Sequence, residues 1–322
     1  MIESRSPQQP DDVVVSVEET SPGAVQAAVD RARKTQQEWG RSAAARSSAL
    51  AAAADAVQAA AGELAALVVR EVGKPLAEVK GEVARSVAIL RYYAQQVFDP
   101  MGEVHEPSAA GLLFSRRRPH GVAGLITPWN FPLAIPLWKA APALAFGNTV
   151  VLKPAPESTA NALRLAELFE GVLPAGAFEV VPGDAETGQA LVTGADVVSF
   201  TGSVAAGRAV ASAATSRGRP VQAEMGGQNP AIVLPDADLS AAAAMIATAA
   251  AGFAGQKCTA TKRVVVVGDP APFRDAFVAA VEALAGGTRA PRRPWSVRSS
   301  TRAPAPASSR RPVPPSPRAG AC

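Results

Sequence analysis

The chain has 322 residues, of which 48% are hydrophobic, 19% charged and 5% aromatic. That is enough apolar material for a sizeable core in about two domains, drawn mainly from Val, Leu, Ile and Ala, as in a soluble α/β protein. The net charge of +4 is not a nucleic-acid signal, because eight arginines and no acidic residue fall between Thr288 and Cys322, and the first 287 residues carry a net −4.

Gly23 to Val97 reads as successive helices. Leu76, Val79, Val83, Val87, Leu90, Ala94 and Val97 recur every three or four residues, one apolar stripe on a helix that opens after Pro75. Glu78, Lys80, Glu82 and Arg85 fall off that stripe, so this part is expected to be scaffold without chemistry. From Gly121 the texture changes. Short apolar runs at Val122–Thr127, Thr149–Lys153, Phe178–Val181, Val197–Thr201, Val221–Glu224 and Ala231–Leu234 read as strands. Helical stretches at Leu133–Phe146, Asn161–Val172, Glu186–Val192 and Val204–Thr215 separate most of them. The alternation predicts βαβ units, a mainly parallel sheet, and ligand sites at the C-terminal ends of its strands. A helix over Ser240–Phe253, a strand over Arg263–Val267 and a helix over Pro272–Ala285 follow.

After Gly287 the text is Arg, Pro, Ser and Ala without an apolar period, which cannot bury a core. It reads as a disordered basic tail or as out-of-frame translation, and the abrupt break favours the second. Cys258 and Cys322 are the two cysteines, so a disulfide framework is excluded and a reducing compartment is the natural setting. The N-terminus has no basic segment leading into an apolar one, and the uncharged run Leu239–Gln256 is an alanine-rich buried helix. A cytoplasmic protein without membrane or nucleic-acid partners is expected.

Chemistry concentrates in two motifs 34 positions apart, Glu224 in Glu-Met-Gly-Gly-Gln-Asn-Pro and Cys258 in Gly-Gln-Lys-Cys-Thr-Ala. A carboxylate followed by two glycines can end a strand and let backbone pass close to a ligand. A cysteine in a loop between helix and strand faces a cleft where thiolate character matters. Phe-Thr-Gly-Ser-Val-Ala-Ala-Gly sets Gly202, Ser203 and Gly207 between a strand and a helix, whose N-terminal amides suit a pyrophosphate. His105 and His120 fit no relay or metal-ligand spacing, and no metal is expected.

The Glu224 and Cys258 motifs resemble, in order and spacing, the glutamate and cysteine signatures of the aldehyde dehydrogenase superfamily, and the likeness runs over about residues 12 to 287. It implies a Rossmann-like cofactor domain over residues 1–254, the start of a second α/β catalytic domain over 255–287, and a tail over 288–322. By resemblance Cys258 is the nucleophile, Glu224 the general base, and Asn130 in Thr-Pro-Trp-Asn-Phe-Pro the oxyanion donor. Thr127, Pro128 and Trp129 line the nicotinamide half of the cleft, Lys153 bonds the adenosine ribose, and Gly183 belongs to the adenine-side loop. Lys139 matches a proton-relay lysine, with a solvated helix charge as the other reading. Many NAD-using members have a glutamate three residues after the ribose lysine. Here Pro156 stands there, which removes repulsion against a 2′-phosphate and leaves NAD or NADP as cofactor.

The reaction implied is oxidation of an aldehyde to a carboxylic acid through a Cys-bound thiohemiacetal and thioester. Family members are usually homo-oligomers, and the joining strand expected after Gly287 is missing. The alternative is a truncated, non-catalytic homologue that retains at most dinucleotide binding.

Overall fold

The computed structural model describes residues 1–285, so the readings placed on the tail and on the loss of frame lie outside the described residues. The chain opens with an antiparallel hairpin, β1 (Ile2–Arg5) and β2 (Val13–Val17), in which Ile2 pairs with Val17. Four helices follow, α1 (Pro22–Trp39), α2 (Ala43–Ala59), α3 (Ala61–Val72) and α4 (Leu76–Gln96). Each start has a local cause. Ser21 Oγ accepts from Ala24 N with Pro22 in the first turn of α1, and Ser42 Oγ accepts from Ala45 N at the head of α2. Gly73, at φ 70°, ends α3 in the left-handed conformation, and Pro75 precedes α4. The expected stripe of α4 is buried from Val79 to Val97, but Leu76 is 51% exposed.

A second short hairpin, β3 (Val104–His105) with β4 (Leu113–Phe114), leads into the central sheet. That sheet is made of β5 (Val122–Ile126), β6 (Thr149–Lys153), β7 (Phe178–Val180), β8 (Val197–Gly202) and β9 (Val221–Met225). All are parallel, in the order β7-β6-β5-β8-β9. The crossovers are α5 (Ala134–Ala145), α6 (Thr159–Phe169), α7 (Ala185–Gly194) and α8 (Val204–Thr215). β5 and β6 are buried at every position, as parallel strands covered on both faces must be. Ala123 and Leu125 face the core shared with α2 to α6, while Val122 and Ile126 face α1, α7 and α8. A β-carbon at Gly124 would stand 2.8 Å from Ala195 Cβ, so that glycine lets the segment after α7 pack onto β5. The chain is therefore an α/β protein with a Rossmann-like parallel sheet and N-terminal helices.

After β9 the pairing changes partner. β10 (Asn229–Val233) pairs with β11 (Thr261–Val266) in a separate parallel sheet, covered by α9 (Leu239–Ala251) and α10 (Ala271–Ala285) around Val233, Ala243 and Phe273. The change falls at Gly226–Gly227, where β10 hydrogen-bonds to β11 instead of β9. The helix expected to reach Phe253 also stops short. α9 ends at Ala251, and Phe253 and Ala254 adopt φ of 49° and 52° in a tight turn closed by Gly255. Among the described residues no single helix is long and apolar enough to cross a membrane.

Leu125 is 1% exposed at the middle of β5. Leu125→Ala is expected to lower unfolding free energy by about 2–5 kcal/mol through lost transfer energy and a residual cavity. Urea denaturation followed by circular dichroism measures this, and a change within experimental error would show that the sheet centre is not closely packed.

Candidate active site

The strand order reverses direction on either side of β5, and a crevice of about 770 Å³ opens there, at the carboxyl ends of β5, β6 and β8. Its walls include Thr127, Pro128, Trp129, Lys153, Pro156, Gly202 and Ser203, seven of the nine cofactor candidates read from the sequence. Gly183 and Gly207 are not in the lining. Gly183 accepts a hydrogen bond from Lys153 Nζ through its carbonyl and gives room to Thr187. Gly207 lets Met225 and Phe200 close on α8, since its β-carbon would lie 2.6 Å from Met225 Sδ. Glu157, next to Pro156, is not among the lining residues, while Asp184 and Arg217 are.

These residues fit a phosphate-bearing dinucleotide on three counts. The N-terminus of α8 opens on the crevice, where Ser203 Oγ accepts from Ala206 N, the remaining first-turn amides having no intrahelical acceptor. Thr127 Oγ1 is buried without a protein partner, a hydroxyl that a ligand would satisfy. Lys153 is 6% exposed and donates to Pro154 O and Gly183 O, both at 2.7 Å, so one of its three N–H groups is left over. Burial pushes its pKa below the usual lysine range, and Asp184, Glu157 and Glu19 oppose that shift.

Cys258 is exposed, on a loop fastened from two sides. Asn130 Nδ2 donates to Gln256 O at 2.7 Å, and Asn229 Nδ2 donates to Cys258 O and, at 3.1 Å, to Ala260 O. The asparagine of the Thr-Pro-Trp-Asn-Phe-Pro motif thus grips the residues before the thiol, and the asparagine of the Glu224 motif grips those after it. Asn130 commits one amide hydrogen this way and its Oδ1 is buried without a partner, which leaves a second amide hydrogen.

Glu224 lies exposed at the end of β9, beside Thr201 of β8. Lys139 approaches from α5, donating to Ser199 Oγ at 2.6 Å and Phe200 O at 3.4 Å, so it is not a solvated helix charge. Desolvation lowers its pKa to about 8, and the nearby Glu224 carboxylate holds it from falling further. Among the described residues no group of three or more His, Cys, Asp and Glu is placed to hold a metal ion.

Three residues that helical periodicity assigned to scaffold or passed over stand directly behind these loops. Lys74 and Glu82 form a 2.6 Å ion pair with both side chains 1% exposed. Glu82 Oε1 accepts from Leu133 N and Ala134 N at the start of α5, and Lys74 Nζ donates to Asn130 O at 3.1 Å. Glu78, one turn before Glu82, accepts from Phe253 N and pairs with Lys257. The faint signal was the spacing of Lys74, Glu78 and Glu82, which recur every four residues beside the apolar stripe.

Comparison with known proteins finds that a profile described as Aldehyde dehydrogenase family matches residues 1–295. Alpha-ketoglutaric semialdehyde dehydrogenase of Bacillus subtilis is 44% identical over 272 residues, which is 83% of this chain and 56% of that protein. The crystal structure of PnpE in complex with nicotinamide adenine dinucleotide superposes with TM-score 0.83 at 35% identity, over 89% of this chain and 60% of that one. An NADP-dependent enzyme of E. coli does so with TM-score 0.84 at 34% identity, over 88% and 60%. The chain thus spans about three-fifths of the length of the proteins it matches.

The lowered Lys139 pKa has a testable sign. Unfolded, the lysine keeps its proton to about pH 10.4, whereas folded it releases it near 8. Between these values the unfolded chain binds more protons, so Lys139 contributes stability that grows as pH rises through that window. The stability of the wild type relative to Lys139→Met, from urea denaturation, is expected to increase between pH 7 and pH 10. A difference independent of pH would show that Lys139 titrates as a free lysine.

Proposed function

The chain belongs to the aldehyde dehydrogenase family, and we propose that it oxidises an aldehyde to a carboxylic acid with NAD or NADP, using Cys258 as nucleophile and Glu224 as general base. The observation that carries this reading is the double anchorage of the Cys258 loop by Asn130 and Asn229, beside a strand-end crevice that fits a dinucleotide.

In this reading the Cys258 thiolate adds to the aldehyde carbon, forming a C–S bond and an oxyanion. Asn130 already spends one amide hydrogen on Gln256 O, and the other donates to that oxyanion. A nicotinamide held along Thr127, Pro128 and Trp129 would supply the hydride acceptor that takes the Cys258 adduct to a thioester. Glu224 then takes a proton from a water molecule, the resulting hydroxide attacks the thioester, and the C–S bond breaks to return the Cys258 thiolate and release the carboxylic acid, which loses its own proton to solvent. Lys139, near Glu224 and Ser199, gives that proton a route away from the carboxylate.

Lys153 and Thr127 hold the dinucleotide riboses, and the head of α8 with Gly202 and Ser203 takes the pyrophosphate. Pro156 faces the crevice where a carboxylate would clasp a ribose 2′-hydroxyl, so a 2′-phosphate is admitted as well. The semialdehyde of α-ketoglutarate heads the substrate panel, because the Bacillus subtilis relative carries that name. A second reading, dinucleotide binding without turnover, draws on the exposure of both Cys258 and Glu224, since water-excluded sites are where such chemistry runs fastest.

Cys258→Ser is expected to lower aldehyde-dependent reduction of NAD(P) by at least three orders of magnitude. Glu224→Gln is expected to accumulate acyl-enzyme, seen by mass spectrometry after acid quench. Wild-type turnover in Cys258→Ser removes the nucleophile assignment, and nucleotide binding without turnover in the wild type favours the second reading. Pro156→Glu is expected to weaken NADP at least tenfold relative to NAD in fluorescence titration. Equal effects on the two would detach position 156 from cofactor choice.

A further inference from the structure

We propose that Glu78, on the first turn of α4, is a positioning residue for the nucleophile: its carboxylate clamps the turn that presents Cys258, and the same end of α4 fixes the loop that carries Asn130. The proposal rests on the assignment of Cys258 as nucleophile and adds to it a residue outside the motifs.

The clamp has two arms. Glu78 Oε1 accepts from Phe253 N at 2.9 Å, and Oε2 pairs with Lys257 Nζ at 2.6 Å, with the side chains 26% and 23% exposed respectively. Between those contacts the backbone passes through Phe253 and Ala254, both at positive φ, a conformation that a β-carbon disfavours. Residues stay in such conformations when their surroundings over-determine them. Here the Phe253 ring is fully buried, edge-on to Trp129 at 5.9 Å between centroids, and its amide is held by a carboxylate. Gly252 gives the Lys257 ammonium room, since a β-carbon there would lie 2.7 Å from Nζ. Cys258 follows Lys257 directly, so whatever fixes Lys257 fixes where the sulfur begins.

One turn further along α4, Glu82 receives Leu133 N and Ala134 N, and its partner Lys74 reaches Asn130 O. Lys74 also stands 3.3 Å from the centre of the Phe131 ring and 5.2 Å from that of Phe253. Two carboxylates and two ammonium groups thus balance in charge behind the site, Glu78 with Lys257 serving the thiol loop and Glu82 with Lys74 serving the oxyanion-donor loop. Both loops take their position from one rigid helix end, which is how a supporting group keeps reacting groups in register.

The test compares wild type, Glu78→Gln and Glu78→Ala in a Cys322→Ser background, where Cys258 is the single thiol. Amide hydrogen exchange of the peptide covering residues 252–260 and alkylation of Cys258 by iodoacetamide are measured without aldehyde or cofactor. Glu78→Ala is expected to speed exchange of that peptide at least tenfold, the scale of a hydrogen bond to a charged group, and to raise the alkylation rate at least threefold. Protection of the central sheet is expected to stay unchanged. Glu78→Gln, whose side-chain carbonyl still accepts from Phe253 N, is expected to stay within threefold of wild type in exchange. Wild-type exchange and alkylation in Glu78→Ala overturn the proposal, as does loss of protection across the central sheet, which would make Glu78 a general stabilising residue. If Cys258→Ser keeps its turnover, the assignment of the nucleophile fails on a separate measurement.

Discussion

The Lys74–Glu82 ion pair is the contact on which the arrangement of the site depends. Taking two charges out of water is costly, and a buried pair holds only when further hydrogen bonds satisfy what the pair leaves over. Here the leftover capacity goes to main-chain groups of the Asn130 loop and of the start of α5. The N-terminus of α5, the helix that carries Lys139 to Ser199 of β8, is thereby capped by a side chain from another helix, not by a residue of its own. The loops that carry Asn130 and Cys258 take partners from outside themselves: Glu82 and Lys74 for one loop, Glu78, Asn130 and Asn229 for the other.

The central sheet does the complementary work of setting distances. Placing β5 between β6 and β8 opens a crevice where the helices on the two faces diverge, and every strand bordering it delivers its C-terminal residue there: Ile126 from β5, Lys153 from β6 and Gly202 from β8. The candidate base sits one strand further out, at the end of β9, and the lysine facing it comes from the opposite layer. Crevice, candidate base and thiol loop are sequentially remote segments: parallel pairing brings the first two to the carboxyl end of one sheet, and Asn130 fastens the third to the loop after β5.

Much of this was legible in the sequence, for physical reasons. β5 and β6 are short apolar runs because both faces are covered, and the bounds of all five central strands agree with the structure to within one residue at either end. The Gly202–Ser203 and Lys153 segments sit at strand ends, where a parallel sheet opens its crevice. Periodicity failed where burial is polar. Glu82 falls off the apolar stripe of α4, yet it is 4% exposed, because two amides and an ammonium from elsewhere in the chain meet it. A helical wheel encodes which face is apolar, not which polar groups a neighbouring loop will bring. The hairpin strands β3 and β4 are two residues long, too short to display alternation. The turn at Phe253 and Ala254 escaped because its conformation is imposed by the buried ring and the Glu78 carboxylate, not by its own residue types.

The change of pairing partner after Met225 also bears on the order of assembly. Domains form N-terminal first as a chain is synthesised, and the last strand of the five-stranded sheet is complete 33 residues before the thiol emerges. The strand-end crevice therefore precedes the Cys258 sulfur in synthesis, and the Glu78 carboxylate of α4 precedes its partners Phe253 and Lys257. Docking of the late segment and neutralisation of that early charge are the same event, so the thiol reaches its place only on a scaffold that has already formed.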